Sequence, residues 1–293
     1  MRRPIFVALG LAFAAGLGAC GSASTAVNTT ASTVAASGTT GIAGCSNSEI
    51  QGDLYHRGEL TMATDNPVYT PWFVSNRPEN GKGYESAVAY DVAHALGFTN
   101  SEVHWVYEPF NKSYAPGPKA FDFDINEISV TSARAQVVSF SVSYYADNQA
   151  LVVLKNGPVT KNHSPAALKT YTYGDVIGST SLAYISSYIK PTTQTRVYNT
   201  LNDAKAALDA DQIQALVADT PTAQYIAADE IPGSVALGQF PSNGEHFGLL
   251  FHKNDPLVAC VDKALDLITT QHKLTALSNR WLKIYSSIPT IQP

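Results

Sequence analysis

Residues 122–134 read Asp122-Phe123-Asp124-Ile125-Asn126-Glu127-Ile128-Ser129-Val130-Thr131-Ser132-Ala133-Arg134. The β-rich run Phe123 to Val130 predicts a strand. Thr131 is suited to cap the helix that Ser132-Ala133-Arg134 opens. A strand that runs into a capped helix is the joint of an α/β sheet, and such sheets meet ligands at the ends of their strands. The polar run Glu127 to Arg134 therefore sits where a ligand would be held.

Working outward, Leu60 to Thr64 predicts a strand that ends on Asp65. It leads into Pro67-Val68-Tyr69-Thr70-Pro71-Trp72, a loop stiffened by proline. Its aromatics, Tyr69 and Trp72, lose little entropy against a ligand, although the same pattern suits core aromatics beside a turn aspartate. Tyr84 to Leu96 predicts a helix with Val88, Val92 and Leu96 on one face and Gly97 at its C-terminal cap. Strands follow at Val103–Tyr107 and Leu151–Leu154.

A second set begins at Ser164-Pro165, an N-cap with proline at the first helical position. Val176-Ile177 leads into Gly178-Ser179-Thr180-Ser181 and a helix to Ile189. A strand near Arg196-Val197 precedes a helix over Leu201–Ala210. The strand Ala215–Ala218 ends in Asp219-Thr220-Pro221, which starts another helix. Phe247–Phe251 predicts a last strand, and helices over Pro256–Thr269 and Gln271–Tyr285 close the chain. Two α/β units of roughly a hundred residues each thus meet at two crossings, near Tyr144–Gln149 and Asn243–Gly248. Asp65, the run Glu127 to Arg134, and Asp219 all fall at strand ends.

These residues resemble a known family. Glu59-Leu60-Thr61-Met62-Ala63-Thr64-Asp65 with Pro71-Trp72, Gly83 and Tyr90-Asp91-Val92-Ala93, then the block 122–134 with Val138-Ser139-Phe140-Ser141 and Tyr144-Tyr145, are similar to the extracellular solute-binding proteins of family 3. Gly178-Ser179-Thr180-Ser181, Ala218-Asp219-Thr220-Pro221 and Phe247-Gly248-Leu249-Leu250-Phe251 continue the likeness, which covers Gly58 to Leu282.

The resemblance implies an α/β, two-lobed periplasmic-binding-protein (Venus flytrap) fold with two crossover hinge segments. Lobe 1 would be 49–145 plus 247–293 and lobe 2 would be 146–246. It implies an amino-acid receptor of an ABC importer, closing about its hinges on the ligand and presenting the closed form to a membrane permease. Arg134 would clamp the ligand α-carboxylate, the fork geometry of guanidinium suiting two oxygens. Ser129 would sit beside it, and Ser179 and Thr180 would offer donors from the second lobe. Asp219 would take the α-ammonium, while Asp65, Tyr69, Trp72 and Phe110 would meet the ammonium or side chain.

Two departures stand out. Asn111 to Lys119 carries Pro116 and Pro118 where many members have a helix, and Glu127 occupies a position that is often small. If Glu127 enters the cleft, three carboxylates face Arg134 alone, and one α-ammonium cannot neutralise them. A ligand with a basic or amide side chain is then favoured. If Glu127 points to solvent, that preference disappears. Two alternatives share the same cleft: an amino-acid-sensing lipoprotein signalling to a membrane receptor, and a small-carboxylate dehydratase. No nucleophile with an adjacent base is visible for an enzyme.

The rest of the sequence concerns where the chain works. It has 293 residues with 19 Lys+Arg against 24 Asp+Glu, a net charge of −5. The mild acidity argues against nucleic acid as a partner. No Asp, Glu, Lys or Arg occurs between Arg3 and Glu49. Arg2 and Arg3 precede the apolar run Pro4 to Leu17, which spans only ~21 Å as a helix against a ~30 Å hydrocarbon core, so 1–19 reads as an export signal. Leu17-Gly18-Ala19-Cys20 resembles the lipobox of bacterial lipoproteins, and lipid on Cys20 would anchor the chain to the outer face of the cell membrane. An ordinary signal peptide with a chance cysteine is the alternative.

Residues 20–48, rich in Ser, Thr, Ala and Gly, read as a tether with a reach of roughly 30 Å. Cys45 and Cys260 remain as a disulfide pair or as two unrelated thiols. The seven His show no metal-ligand spacing, and no cofactor is expected. The receptor would act as a monomer.

Overall fold

The computed structural model describes residues 42–285 and 288–293. The expected export signal 1–19, Cys20 and the tether up to residue 41 lie outside the described residues. The strands described are β1 (Leu60–Thr64), β2 (Val103–Tyr107), β3 (Phe123–Asp124), β4 (Ser139–Ala146), β5 (Gln149–Leu154), β6 (Gly174–Val176), β7 (Arg196–Tyr198), β8 (Ala215–Asp219), β9 (Ser234–Gln239) and β10 (His246–Phe251).

They form two lobes. The first lobe has the sheet order β2-β1-β3-β10-β4, with β1 parallel to β2 and β3, and β10 antiparallel to β3 and β4. All five residues of β1 are buried, as expected of a parallel strand covered on both faces. On one face Leu60 and Met62 pack with Val88 and Val92 of the helix Tyr84–Ala95 and with Val261 and Leu265 of the helix Val258–Thr270. On the other, Ala63 packs with Phe121, Ile128, Val138 and Leu250.

The second lobe has the antiparallel sheet β8-β5-β9 and the parallel pair β6-β7, joined through a Tyr173–Ala215 bridge. β5 alternates as a strand must. Leu151 and Val153 face Tyr184, Ile185 and Phe240, while Val152 faces Leu208, Leu216 and Ile226.

The chain crosses between lobes from β4 to β5 and from β9 to β10, at the two places the sequence indicated. It differs from expectation in several respects. The strand expected over 123–130 stops at Asp124, because Glu127 adopts φ 50°, a left-handed conformation that no strand accommodates. Ser129 keeps only an isolated bridge to Phe247. The helices that begin at Thr180 and Thr220 loosen into π turns over Ile185–Ile189 and Ile226–Glu230.

The tether does not extend to residue 48. Ile42 and Cys45 pack on the lobe 1 core, and Cys45 is bonded to Cys260 with an S–S distance of 2.03 Å. Nor does lobe 1 hold everything from 247 to 293. Residues 288–293 lie along β9 of lobe 2, with Gln239 N donating to Pro289 O and Ile291 N donating to Gln239 O, both at 2.8 Å. Ile291 enters the lobe 2 core. An unpaired edge of β9 and an apolar Ile288/Ile291 pair supply the reason.

Candidate functional site

A cavity of about 290 Å³ lies between the lobes. Lobe 1 contributes Asp65, Asn66, Tyr69, Tyr107, Phe110, Asn126 and Glu127. Lobe 2 contributes Asp175, Ser179, Thr180, Ser181, Asn199, Thr200, Asp219 and Thr222. Three of the acids sit at or just past strand ends, while Asp175 is the central residue of β6. Asp65 follows β1, Glu127 lies on the turn after β3, and Asp219 ends β8 as the N-cap of the helix Thr220–Tyr225.

Glu127 enters the cavity because its left-handed backbone turns it there. Its N–H donates to Glu85 Oε1 at 2.7 Å, and its Oε2 accepts from Thr222 Oγ1 of lobe 2 at 2.8 Å. Burial, followed by the charges of Asp219 and Glu85, holds its carboxyl well above the usual carboxylate range. Asp219 Oδ1 accepts from Gln149 Nε2 at 2.7 Å. Burial, with Glu245 next in importance, raises its carboxyl, and burial with Asp219 beside it raises that of Asp147. Burial also raises Asp65, whose Oδ1 accepts from Asn66 N at 2.7 Å.

Three expected ligand residues, Trp72, Ser129 and Arg134, do not line the cavity. Trp72 is turned inward because its loop is tied to a helix start: Tyr84 N donates to Pro71 O and Glu85 N to Trp72 O, each at 3.0 Å. Its indole packs edge-on against Tyr84, Tyr145 and Phe247. Its Nε1 donates to Thr222 Oγ1 at 2.6 Å, so Trp72 positions the threonine that holds Glu127.

Ser129 Oγ donates to Glu245 Oε1 at 2.6 Å and lies 3.1 Å from Thr180 Oγ1. Arg134, only 7% exposed, donates from Nη1 to Ser129 O at 2.7 Å and from Nη2 to Gly178 O at 3.0 Å. Its guanidinium lies 4.4 Å from the Tyr114 ring centre and 5.5 Å from that of Phe110. It clasps lobe 1 to lobe 2 through backbone carbonyls. Tyr69 lines the cavity and also meets lobe 2, its ring 4.7 Å from Lys205 Nζ, which is bonded to Glu230 at 2.8 Å.

Several residues at the cavity or behind it were not singled out from the sequence, among them Gln149, Glu245, Asp147, Thr222, Asn126 and Asp175. Gln149 Nε2 donates to both Asp219 and Glu245 Oε2, the latter at 2.8 Å, while its Oε1 accepts from Ser181 Oγ at 2.7 Å. Gln149, Glu245 and Asp147 lie at the two crossings, which was the available signal. Thr222 offered none. Asn126 lines the cavity with its Nδ2 buried and unpartnered, and its place in the block 122–134 pointed to it.

The interlobe contact at Gly178 has no room for a side chain. Its φ is +73°, and a Cβ there would lie 2.2 Å from Tyr114 Oη. Gly178→Ala is expected to push Tyr114 off Arg134 and weaken ligand binding by about tenfold, in line with a cost of ~1–3 kcal/mol for a strained conformation. Calorimetry giving an unchanged dissociation constant would count against this contact.

The buried acids also set a pH dependence. Burial pushes Glu85 and Asp175 up to about 7 and Asp122 up to about 6. The folded state therefore keeps protons that the unfolded chain releases. Stability from these groups is full below the unfolded carboxylate range, near ~4, and is lost as pH rises through about 6 to 7. The ligand-free melting temperature is expected to fall between pH ~5 and ~8 by on the order of 10 °C or more, since a carboxyl displaced by one pH unit is worth ~1.4 kcal/mol and each kcal/mol moves the midpoint of a domain this size by ~2–4 °C. A melting temperature that climbs over that interval would contradict the assignment.

The fold agrees with comparisons to known proteins. The sequence model of the bacterial extracellular solute-binding proteins, family 3, matches residues 60–284. A probable histidine-binding protein of Campylobacter jejuni is 26% identical over 233 residues, which is 76% of this chain and 86% of that one. A mutant of ArgBP from T. maritima has a TM-score of 0.65 at 26% identity, covering 80% of this chain and 98% of its own. An ancestral arginine-binding protein bound to glutamine gives 0.66 at 25% identity, covering 77% and 98%.

Proposed function

Because the chain belongs to the bacterial extracellular solute-binding proteins of family 3, we propose that it captures an amino acid with a basic or amide side chain between its lobes and delivers it to an ABC import permease. It would work as an exported monomer, lipid-anchored through Cys20 to the outer face of the cell membrane. The observation that carries the ligand class is that Asp65, Glu127 and Asp219 all line the cavity, while no Lys, Arg or His does so among the described residues. Charge of this sign, buried, is stable only with protons or with a cationic ligand.

Asp219 receives the α-ammonium, and Asp65 and Glu127 receive the side-chain cation or N–H donors. Tyr69 and Phe110 flank the ligand, and the unpartnered Asn126 amide gives it a further polar partner. Thr180, beside Ser179 and against Ser129, faces the carboxylate. The ligands named for the relatives, histidine for the C. jejuni protein and glutamine for the ancestral one, are of the class this chemistry favours.

Isothermal titration calorimetry of the full chain against the common amino acids tests the proposal. Micromolar binding by a basic or amide amino acid, about −8.2 kcal/mol, is the expected result. Micromolar binding by glutamate with none by that class would remove it.

A further inference from the structure

The cavity is rich in acceptors, and apart from the unpartnered Asn126 Nδ2 most of the side chains suited to a ligand carboxylate are already engaged within the chain. Arg134 gives Nη1 to Ser129 O and Nη2 to Gly178 O, with aromatic rings beside its guanidinium. Ser129 Oγ donates to Glu245, Ser179 Oγ to Val176 O at 2.9 Å, and Ser181 Oγ to Gln149. Thr180 is the remaining hydroxyl of that group, and it sits against Ser129.

For cations the situation is reversed. Asp65, Glu127 and Asp219 each present a carboxyl to the cavity, and Glu127 is held there by Thr222 through Oε2, so that Oε1 has no hydrogen-bond partner among the described residues. A second positive charge on a ligand gains from these acids. A carboxylate adds a negative charge beside them and must displace a bond that Arg134 or Ser129 already makes.

We propose that this cleft takes short dications without a carboxylate, namely diamines and amino-guanidines that are the decarboxylated counterparts of basic amino acids, at least as tightly as the amino acids themselves. The inference rests on reading the cleft as the solute site and widens the class of ligand. One cationic end meets Asp219 and the other lies between Asp65 and Glu127. The rings of Tyr69 and Phe110 contact the connecting methylenes and the charge at their end.

The test is calorimetry of the full chain in detergent at neutral pH, with L-arginine against agmatine and L-lysine against cadaverine, repeated on Asp219→Asn. In at least one pair the amine is expected to bind with a dissociation constant equal to or below that of its parent, to compete with it, and to lose affinity in Asp219→Asn. If the amino acids bind and both amines are weaker by more than about tenfold, the inference is overturned and the amino-acid receptor stands. The inference is equally overturned if neither pair binds while glutamine or histidine does, or if an amine binds Asp219→Asn unchanged, which would put it outside the cleft. If no amine and no amino acid binds at all, the solute-site reading itself falls.

Discussion

Asp219→Asn is expected to weaken ligand binding by about 100-fold, or ~2.8 kcal/mol, the largest effect of any single change in the cleft. Asp219 caps the helix Thr220–Tyr225, and its oxygen is oriented by Gln149 at 2.7 Å. The substitution keeps the shape and removes the charge that an ammonium group needs in a buried site. Circular dichroism and melting temperature are expected to change little, because Asp219 makes no side-chain cap bond that the substitution could remove and one buried acid of the cluster is gone. Arg134→Ala makes a companion case, expected to lose at least about tenfold because its two bonds join Ser129 of lobe 1 to Gly178 of lobe 2. Calorimetry decides both, and affinity within about twofold of wild type in either variant would refute the role given to that residue.

Gly83→Ala is expected to have the largest effect on stability, lowering it by at least ~3 kcal/mol. Gly83 has φ +102°, and a Cβ built there lies 2.2 Å from Trp72 O and 2.7 Å from Phe73 Cα. Both obstacles are backbone, so relief requires moving the loop. That loop is fixed by the bonds from Tyr84 N to Pro71 O and from Glu85 N to Trp72 O. Displacing it disturbs Trp72, and through Thr222 the support of Glu127. Urea unfolding would reveal the loss as a lower midpoint, and a midpoint within experimental error of wild type would show the close approach to be unimportant.

Much of this site was legible in the sequence, because strand ends can be read from local pattern. Asp65 and Asp219 follow apolar runs with turn or helix-start residues after them, and both line the cavity. Glu127 was visible as a departure, but its entry into the cleft depends on a left-handed backbone that a strand-like sequence conceals. Trp72 shows the opposite limit. Its type and loop suit a ligand contact, yet its direction is set by hydrogen bonds to a helix start, from Tyr84 to Pro71 and from Glu85 to Trp72, that span thirteen residues.

Gln149 and Glu245 could be placed only at crossings, since their pairing brings together positions 96 residues apart. The strands β4 and β9 escaped notice because neither is a continuous apolar run. β4 exposes Val142, Ser143 and Ala146, and β9 is mostly half-buried. The return of 288–293 to lobe 2 rests on an open strand edge, which local composition does not disclose.

The bond between Cys45 and Cys260 gives the chain a point of mechanical purchase. Cys260 lies in the helix Val258–Thr270, whose inner face packs into the lobe 1 core. A pull arriving from upstream of residue 42 would therefore be delivered through Cys45 into the first turn of that helix, whose inner face is seated in the core. With the anchoring proposed above, lobe 1 would be the fixed jaw and lobe 2 the one that swings. Under that proposal a membrane partner would sense ligand capture as movement of lobe 2 against a stationary frame.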